Sequence, residues 1–406
     1  MNDAELDNAP LENWLLHAGL QGFSVAALLE GFCRRLRHEG MALVRGHIAL
    51  AALHPLVRAR SLTWKCGDSA LVGEEMPHRD REEDAPGWFA SPFRHMLVAD
   101  IPQLRRRLAG AGAVLDFPVL HEFAGLGYTE WLARAFGFGW EMEHLPVAGK
   151  MAEIGMACSF CTDAPDGFPA ADLARLDALL PQLALAVKAT TMVDTTRNVM
   201  AAYLGGDAAQ HVLSGEIRRG KAQRVAAAIL YADLRGFTAL ADRLEIEPLV
   251  ATLNAYFDCL GPAVAERGGQ VLKFLGDGLL ASFQIEDEAD PAPYCRAALS
   301  AAEAALAAVA KLNAERAAAG APVLQLDIAL HLGTLMYGNV GTADRLDFTL
   351  IGPAVNEAAR IENLCSMLDR ALLASGSFAA CAGGGLRSLG HHSLRGVAEP
   401  REVFGL

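Results

Sequence analysis

A chain of 406 residues is long enough for two domains, each with its own core. Apolar residues make up 52% of it and charged ones 20%, a soluble globular composition, while a formal net charge of −13 counts against a nucleic-acid surface, which needs concentrated Lys and Arg. The opening MNDAELDNAP is acidic and lacks the apolar core of a signal peptide, and no later apolar run approaches the ~20 residues needed to cross a bilayer. A cytoplasmic protein without a membrane span is therefore expected.

Residues 11–39 have helical apolar periodicity and end in CRRLRHEG, where Gly40 suits a helix stop. VRGHIALAAL, LTWKC and HMLVA read as strands. Between the last two, residues 67–92 form a charged loop with Pro and Gly and no period. HEFAGLGYTEWLARAFGF reads as an amphipathic helical stretch interrupted by Gly, followed by a strand around Ile154 to Cys161 and a helix from about Ala170. The eight cysteines are scattered in mostly apolar contexts and read as reduced core thiols. Cys158 and Cys161 form a C-x-x-C, but on a strand an offset of three points them to opposite faces, and no second pair is available for zinc.

Interleaved strands and helices without a catalytic constellation fit a small α/β sensor module over residues 1–178. The order of elements, with CTDAPDGFPAADLARLDALLPQLALAV, resembles GAF-type regulatory domains. Trp14, His47, His54, Trp64, Trp131, Trp140 and His144 are candidates to line a pocket for an unknown small ligand, and ordinary core aromatics and surface histidines would read the same way.

Residues 179–221 read as a linker. Leu179, Leu183, Ala186, Thr190, Val193, Arg197, Met200 and Leu204 step alternately by four and three, which suits a short parallel coiled-coil seam or a plain amphipathic helix. Pro181 counts against an unbroken helix at its start. GGDAAQHVLSGEIRRGKAQR follows and resembles a short transducing element.

Residues 222–406 carry the chemistry. Val225 to Ala232 form a near-continuous apolar run, as in a strand buried on both faces, and Asp233 stands at its end. Gly236 permits a tight turn and Thr238 can cap a helix TALADRLEIE, so free backbone N–H groups lie beside an acid, a grouping suited to a polyphosphate and its cation. Downstream, QVLKFL and LLASF flank Gly276, Asp277 and Gly278 and read as a β-hairpin with the acid at its tip. If the hairpin lies beside the first strand, the two carboxylates can share two divalent ions about 3.5–4 Å apart, the arrangement of in-line phosphoryl chemistry. Lys273, alone in an apolar strand, must reach an edge or meet an acceptor. Residues 291–319 form an Ala-rich helix and VLQLDIALHLG a strand, neither with evident chemistry. Pro353 suits the first turn of a helix, which places Asn356 and Arg360, at i and i+4, on one face.

ADLRGFT, KFLGDGLLASF and FTLIGPAVNEAARIE, in that order and spacing, resemble the signature blocks of class III adenylyl/guanylyl cyclase catalytic domains. The resemblance implies an α/β (α+β) fold: a ferredoxin-like catalytic domain over 222–406 that works as a head-to-tail homodimer, preceded by the GAF-like α/β sensor domain and the linking helix. It implies that Asp233 and Asp277 bind two Mg²⁺ or Mn²⁺ ions, with Gly236, Phe237 and Thr238 cradling phosphates. From the partner chain, Lys273 and Thr349 would read the base, Asn356 would orient the ribose and Arg360 would stabilise charge on the α-phosphate. Two positions depart from the commonest pattern. Thr349 stands where Asp is frequent, similar to a subgroup associated with bicarbonate, which makes bicarbonate a candidate effector. Val397 stands where some members carry a phosphate-binding Lys, leaving Arg395 as the substitute. The implied activity is conversion of ATP to cyclic AMP. The alternatives are a guanylate cyclase, which would favour Glu and Cys at the Lys273 and Thr349 positions, and a nucleotide-binding pseudo-cyclase, which intact Asp233, Asp277, Asn356 and Arg360 argue against. A diguanylate cyclase would show GGDEF-like residues where this chain has LGDGL.

Overall fold

The computed structural model of the protein describes residues 9–54, 57–77, 86–141, 153–397 and 399–406. Two compact units divide between Val199 and Met200.

In the first unit, helices Leu11–Leu20 and Val25–His38 precede a six-stranded antiparallel sheet of order β3-β2-β1-β6-β5-β4. Its strands are β1 (Leu43–Ala51), β2 (Val57–Lys65), β3 (Val72–Pro77), β4 (Gln103–Arg107), β5 (Glu130–Glu141) and β6 (Glu153–Thr162). The Ser24 side chain caps the second helix by accepting from the Ala27 N–H at 3.2 Å. That helix buries Leu28, Leu29, Phe32, Cys33 and Leu36, one stripe at helical spacing, and Gly40 ends it at φ +99°. Period-two alternation divides the sheet: Ile48, Leu50, Cys158 and Phe160 face a core with these helices, while Trp131, Ala133 and Cys161 face a second core under helices Pro92–Val98 and Pro118–Gly125. Cys158 and Cys161 thus lie on opposite faces, both buried; Cys66, by contrast, is exposed.

Several local expectations are corrected. HMLVA lies in helix Pro92–Val98, because Ser91 accepts from the Phe93 N–H at 3.1 Å and Pro92 occupies the first turn. WLARAFGF lies in strand β5, paired on both sides, and only the first five residues of that stretch, 121–125, are helical, as the end of helix Pro118–Gly125. The charged loop contains β3, paired to β2, and its residues 78–85 lie outside the described ones. Helix Ala170–Leu204 runs unbroken through Pro181. Leu179, Leu183 and Ala186 of the expected seam are buried in the first unit's own core, and the Thr190 hydroxyl donates to Phe23 O at 2.9 Å, so these positions are taken up within the chain. The pocket candidates do not converge. Trp14 and Trp64 are packed into the helical-face core, whereas His47 and Trp131 are on the other face; His144 and the Trp140 side chain lie outside the described residues.

The second unit is built on a β-α-β-β-α-β frame: β7 (Ala222–Leu234), helix Ile246–Ala265, β8 (Gln270–Leu275), β9 (Gly278–Gln284), helix Ala292–Ala318 and β10 (Leu326–Gly341). Its spatial order β10-β7-β9-β8 is that of a ferredoxin-like sheet. β11 (Leu346–Ile351) pairs with β10, and β12 (Leu372–Ser375), β14 (Arg401–Gly405) and β13 (Arg387–His392) extend the sheet beyond it. β7 is buried on both faces as its apolar run predicts. Ala228, Leu230 and Ala232 meet the two long helices, and Val225, Ala227 and Ile229 meet helix Pro353–Glu362 through Ala354 and Ala358. Helices Ala170–Leu204 and Ala292–Ala318 are, against expectation, long and apolar enough to cross a membrane by length and composition, but each builds one face into a core.

Candidate active site

β7 delivers Asp233 at its C-terminal end, where the backbone turns at Gly236 (φ +78°) into the short helix Phe237–Ala241. That helix starts one residue before Thr238, so Thr238 does not cap it. Its first amides have no side-chain cap and, as at any helix start, no intrahelical acceptor. The β8–β9 hairpin turns at Gly276 (φ +70°) and Asp277, and the pairing of Ala232 with Leu279 brings this turn against the end of β7. A Cβ on Gly278 would stand 3.3 Å from Ala232 O and 3.4 Å from Asp233 Oδ1, so the hairpin lies directly against the end of β7.

Asp233 and Asp277 come within hydrogen-bonding reach. Burial, then the Asp277 carboxylate and its hydrogen bond, then Asp327, push Asp233 up to about 6. Two residues not expected from the sequence complete the surroundings. Asp327 pairs with Asp233 across β7 and β10 and is buried, held by both arms of Arg235 (Nη2 to Oδ1 at 2.7 Å, Nε to Oδ2 at 2.9 Å). Glu362, buried at the end of helix Pro353–Glu362, is pushed up to about 7 by burial and by Asp233, Asp327 and Asp277. Beside them the Tyr256 hydroxyl is buried with no hydrogen-bond partner among the described residues, and burial and the same acids push it up. Crowding that pushes Asp233 and Glu362 up, with Arg235 engaged by Asp327, is what a divalent cation would relieve. Among the described residues no set of three or more His, Cys, Asp or Glu side chains is arranged to hold a metal. Asp233 and Asp277 are the two carboxylates that could hold a cation here, with its remaining ligands supplied from outside the side chains.

The base and phosphate candidates form a second group. Lys273, on the sheet-edge strand β8, donates to Asp347 Oδ2 of β11 at 2.6 Å, and Thr349, two residues on, shares the Asp347 face. Both partners of this ion pair are exposed, so the pair is worth at most about 1 kcal/mol and can be given up to a ligand. Pro353 opens helix Pro353–Glu362, on which Asn356 is exposed and Arg360 half-buried. At about 100° per residue Glu362 stands roughly 200° from Arg360, so the helix that turns Glu362 toward the acid cluster turns Asn356 and Arg360 away from it. A Cβ on Gly396 (φ +74°) would stand 3.6 Å from Arg360 Nη2, which places the turn with exposed Arg395 beside that guanidinium.

Residues 221–371, most of the second unit, match the family model of the adenylate and guanylate cyclase catalytic domain. An adenylate cyclase of Anabaena cylindrica is 39% identical over 140 residues, 34% of this chain and 26% of that protein. Adenylate cyclase 1 of Rhizobium meliloti is 31% identical over 169 residues, 41% of this chain and 25% of that one. The chain thus spans about a quarter of the length of these curated relatives. Among solved structures, the adenylyl cyclase CyaB of P. aeruginosa is 27% identical with a TM-score of 0.42, over 46% of this chain and 95% of that one. The guanylyl cyclase Cya2 is also 27% identical, with a TM-score of 0.40, over 45% and 92%.

Proposed function

We propose that the protein is an adenylate cyclase that converts ATP to 3′,5′-cyclic AMP and pyrophosphate at sites shared between two copies of the chain. The observation that carries this reading is the convergence of Asp233 and Asp277 into one carboxyl pair at the end of β7. These two side chains would hold two Mg²⁺ or Mn²⁺ ions. When bound, the cations acidify the ribose 3′-hydroxyl and offset charge at the α-phosphate. The turn amides of Gly236, Phe237 and Thr238 receive the β- and γ-phosphates and then pyrophosphate.

Arg360 and Asn356 point away from their own acid cluster, which favours a second copy as the source of these groups. The edge strand β8, which leaves Phe274 and Leu275 exposed, and the paired ends of β10 and β11, which leave Met336, Val340 and Ile351 exposed, give such a copy apolar surface to cover. In the shared site Lys273 leaves Asp347 and donates to adenine N1, the Thr349 hydroxyl accepts from the 6-amino group, Asn356 holds the ribose ring and Arg360 neutralises charge developing on the α-phosphate. Arg395, beside Arg360, adds a second cation for the phosphates. Names of adenylate cyclases among the relatives support ATP, and Lys273 and Thr349 support it over GTP. Incubation of the purified chain with ATP or GTP and Mn²⁺, followed by chromatography of the product, tests the reading. Cyclic AMP as the main product is expected; faster formation of cyclic GMP, or no cyclic product, overturns it.

A further inference from the structure

Between helix Ala170–Leu204 and strands β1, β2 and β3 of the first unit lies a cavity of about 350 Å³, at the lower end of the range for small-molecule sites. Its floor is apolar: Val25 and Ala26 from the first turn of helix Val25–His38, Leu50 and Ala51 of β1, and Leu62 of β2. All of these but Leu50 are only half-buried, so they face the opening as well as the core beneath. Of the described residues that the sequence singles out for a ligand pocket, His54 alone reaches this cavity.

The wall opposite this floor is polar. Thr191, Asp194, Thr195 and Asn198 line it at helical spacing, on one face of the long helix. Neighbouring threonines use their hydroxyls: Thr190 donates to Phe23 O at 2.9 Å and Thr196 to Met192 O at 2.8 Å. Thr195 is only 8% exposed, yet among the described residues its hydroxyl has no hydrogen-bond partner, and the half-buried Asn198 amide has none either. Such groups beside an apolar floor are costly unless water or a ligand meets them. Charge at the mouth, by contrast, is already matched. Arg60 Nε meets Glu75 Oε1 at 2.9 Å across β2 and β3, and Arg197 Nη1 meets Asp194 Oδ1 at 3.2 Å. Alternation turns Glu74, next to Glu75, toward the opposite face of β3. Among the described lining residues no unmatched Arg, Lys, Asp or Glu therefore faces the cavity, and a charged ligand would lose hydration there without gaining a counter-charge.

We propose that this cavity binds a small uncharged organic molecule with one polar oxygen, an alcohol or a ketone. The carbon skeleton lies on Val25, Ala26 and Leu62, and the oxygen accepts from the Thr195 hydroxyl and the Asn198 amide. A hydroxyl on the ligand can also donate to either side chain, since both carry an acceptor. The site belongs wholly to the first unit and is independent of the reaction proposed for the second.

All five tryptophans of the chain precede residue 141, so tryptophan fluorescence melts of the full-length protein report this unit alone. Melts are compared at constant pH and ionic strength with millimolar benzyl alcohol, cyclohexanol or cyclohexanone, and with benzylamine and benzoate as charged counterparts of similar size. At least one of the three uncharged probes should raise the melting temperature by about 2 °C or more, and the charged pair should not. Thr195→Val keeps the shape of the wall and removes its hydroxyl. Without ligand it should melt at or above wild type, and it should need a several-fold higher probe concentration for the same shift. Ala26→Leu, a good helix former that fills the floor, should erase the shift. The proposal falls if none of the uncharged probes shifts the wild type, if benzylamine or benzoate shifts it equally, or if either variant keeps the wild-type response. It falls equally if Thr195→Val alone melts well below wild type, which would give the hydroxyl a structural role.

Discussion

Replacing Asp277 with Asn should make the metal-free second unit more stable near pH 8 while removing its activity. In the folded unit Asp233 titrates at about 6, above the ordinary 3.8, so folding takes up a proton between those values. The stability linked to Asp233 is then fully present below about 3.8 and is lost as pH rises through about 6. A shift of about two units corresponds to at most roughly 3 kcal/mol. Burial, the largest cause, persists in the variant, and Asp233 is partly exposed, so the share removed with the Asp277 charge is about 1 kcal/mol after solvent screening. For a unit of this size that is a rise of roughly 2–4 °C in melting temperature at pH 8, shrinking toward zero at pH 4. Calorimetry in chelator at both pH values, following the transition that leaves tryptophan fluorescence unchanged, measures it. Added Mn²⁺ should stabilise the wild type and not the variant. A variant that melts lower than wild type at pH 8, responds fully to Mn²⁺, or turns over ATP at the wild-type rate refutes the carboxyl-pair reasoning.

Arg235→Ala strands the buried Asp327 carboxylate and should cost about 3 kcal/mol in urea unfolding; a loss under 1 kcal/mol would mean that Arg235 is not the partner that Asp327 needs. Arg360→Ala should lower kcat at least ~100-fold with little change in KM, as expected for a group that acts on developing charge; a change confined to KM would assign it to ground-state binding. Lys273→Glu combined with Thr349→Cys should invert the ratio of kcat/KM for ATP and GTP, and an unchanged ratio would remove both residues from base selection.

The sequence exposed the parts of the site that announce themselves locally. Asp233 ends an apolar run and Asp277 sits in a Gly-flanked turn, and both patterns are contained within a few residues. Asp327 and Glu362 escaped because their roles arise from distant pairing. Asp327 matters through its register opposite Asp233, and Glu362 through the rotation of a helix packed on β7. The available signal was an acid within the buried run LQLDIALHL. In the first unit, HMLVA is too short for its period to separate helix from strand, and Ser91–Pro92 was the better guide. WLARAFGF misled because β5 buries Trp131, Leu132 and Ala133 in succession, which blurs the alternation of a strand. Leu179, Leu183 and Ala186 carry a seam-like spacing that also serves a helix packed on its own domain, and only the tertiary packing separates the two.

The most direct test of the shared site mixes two inactive chains, Asp233→Ala and Arg360→Ala, under conditions that exchange subunits. Random pairing makes half of the dimers mixed, each with one doubly damaged site and one intact site, so about a quarter of wild-type activity should return. Continued inactivity after mixed dimers are demonstrated would contradict a site built from Asp233 and Asp277 of one copy and Asn356 and Arg360 of the other.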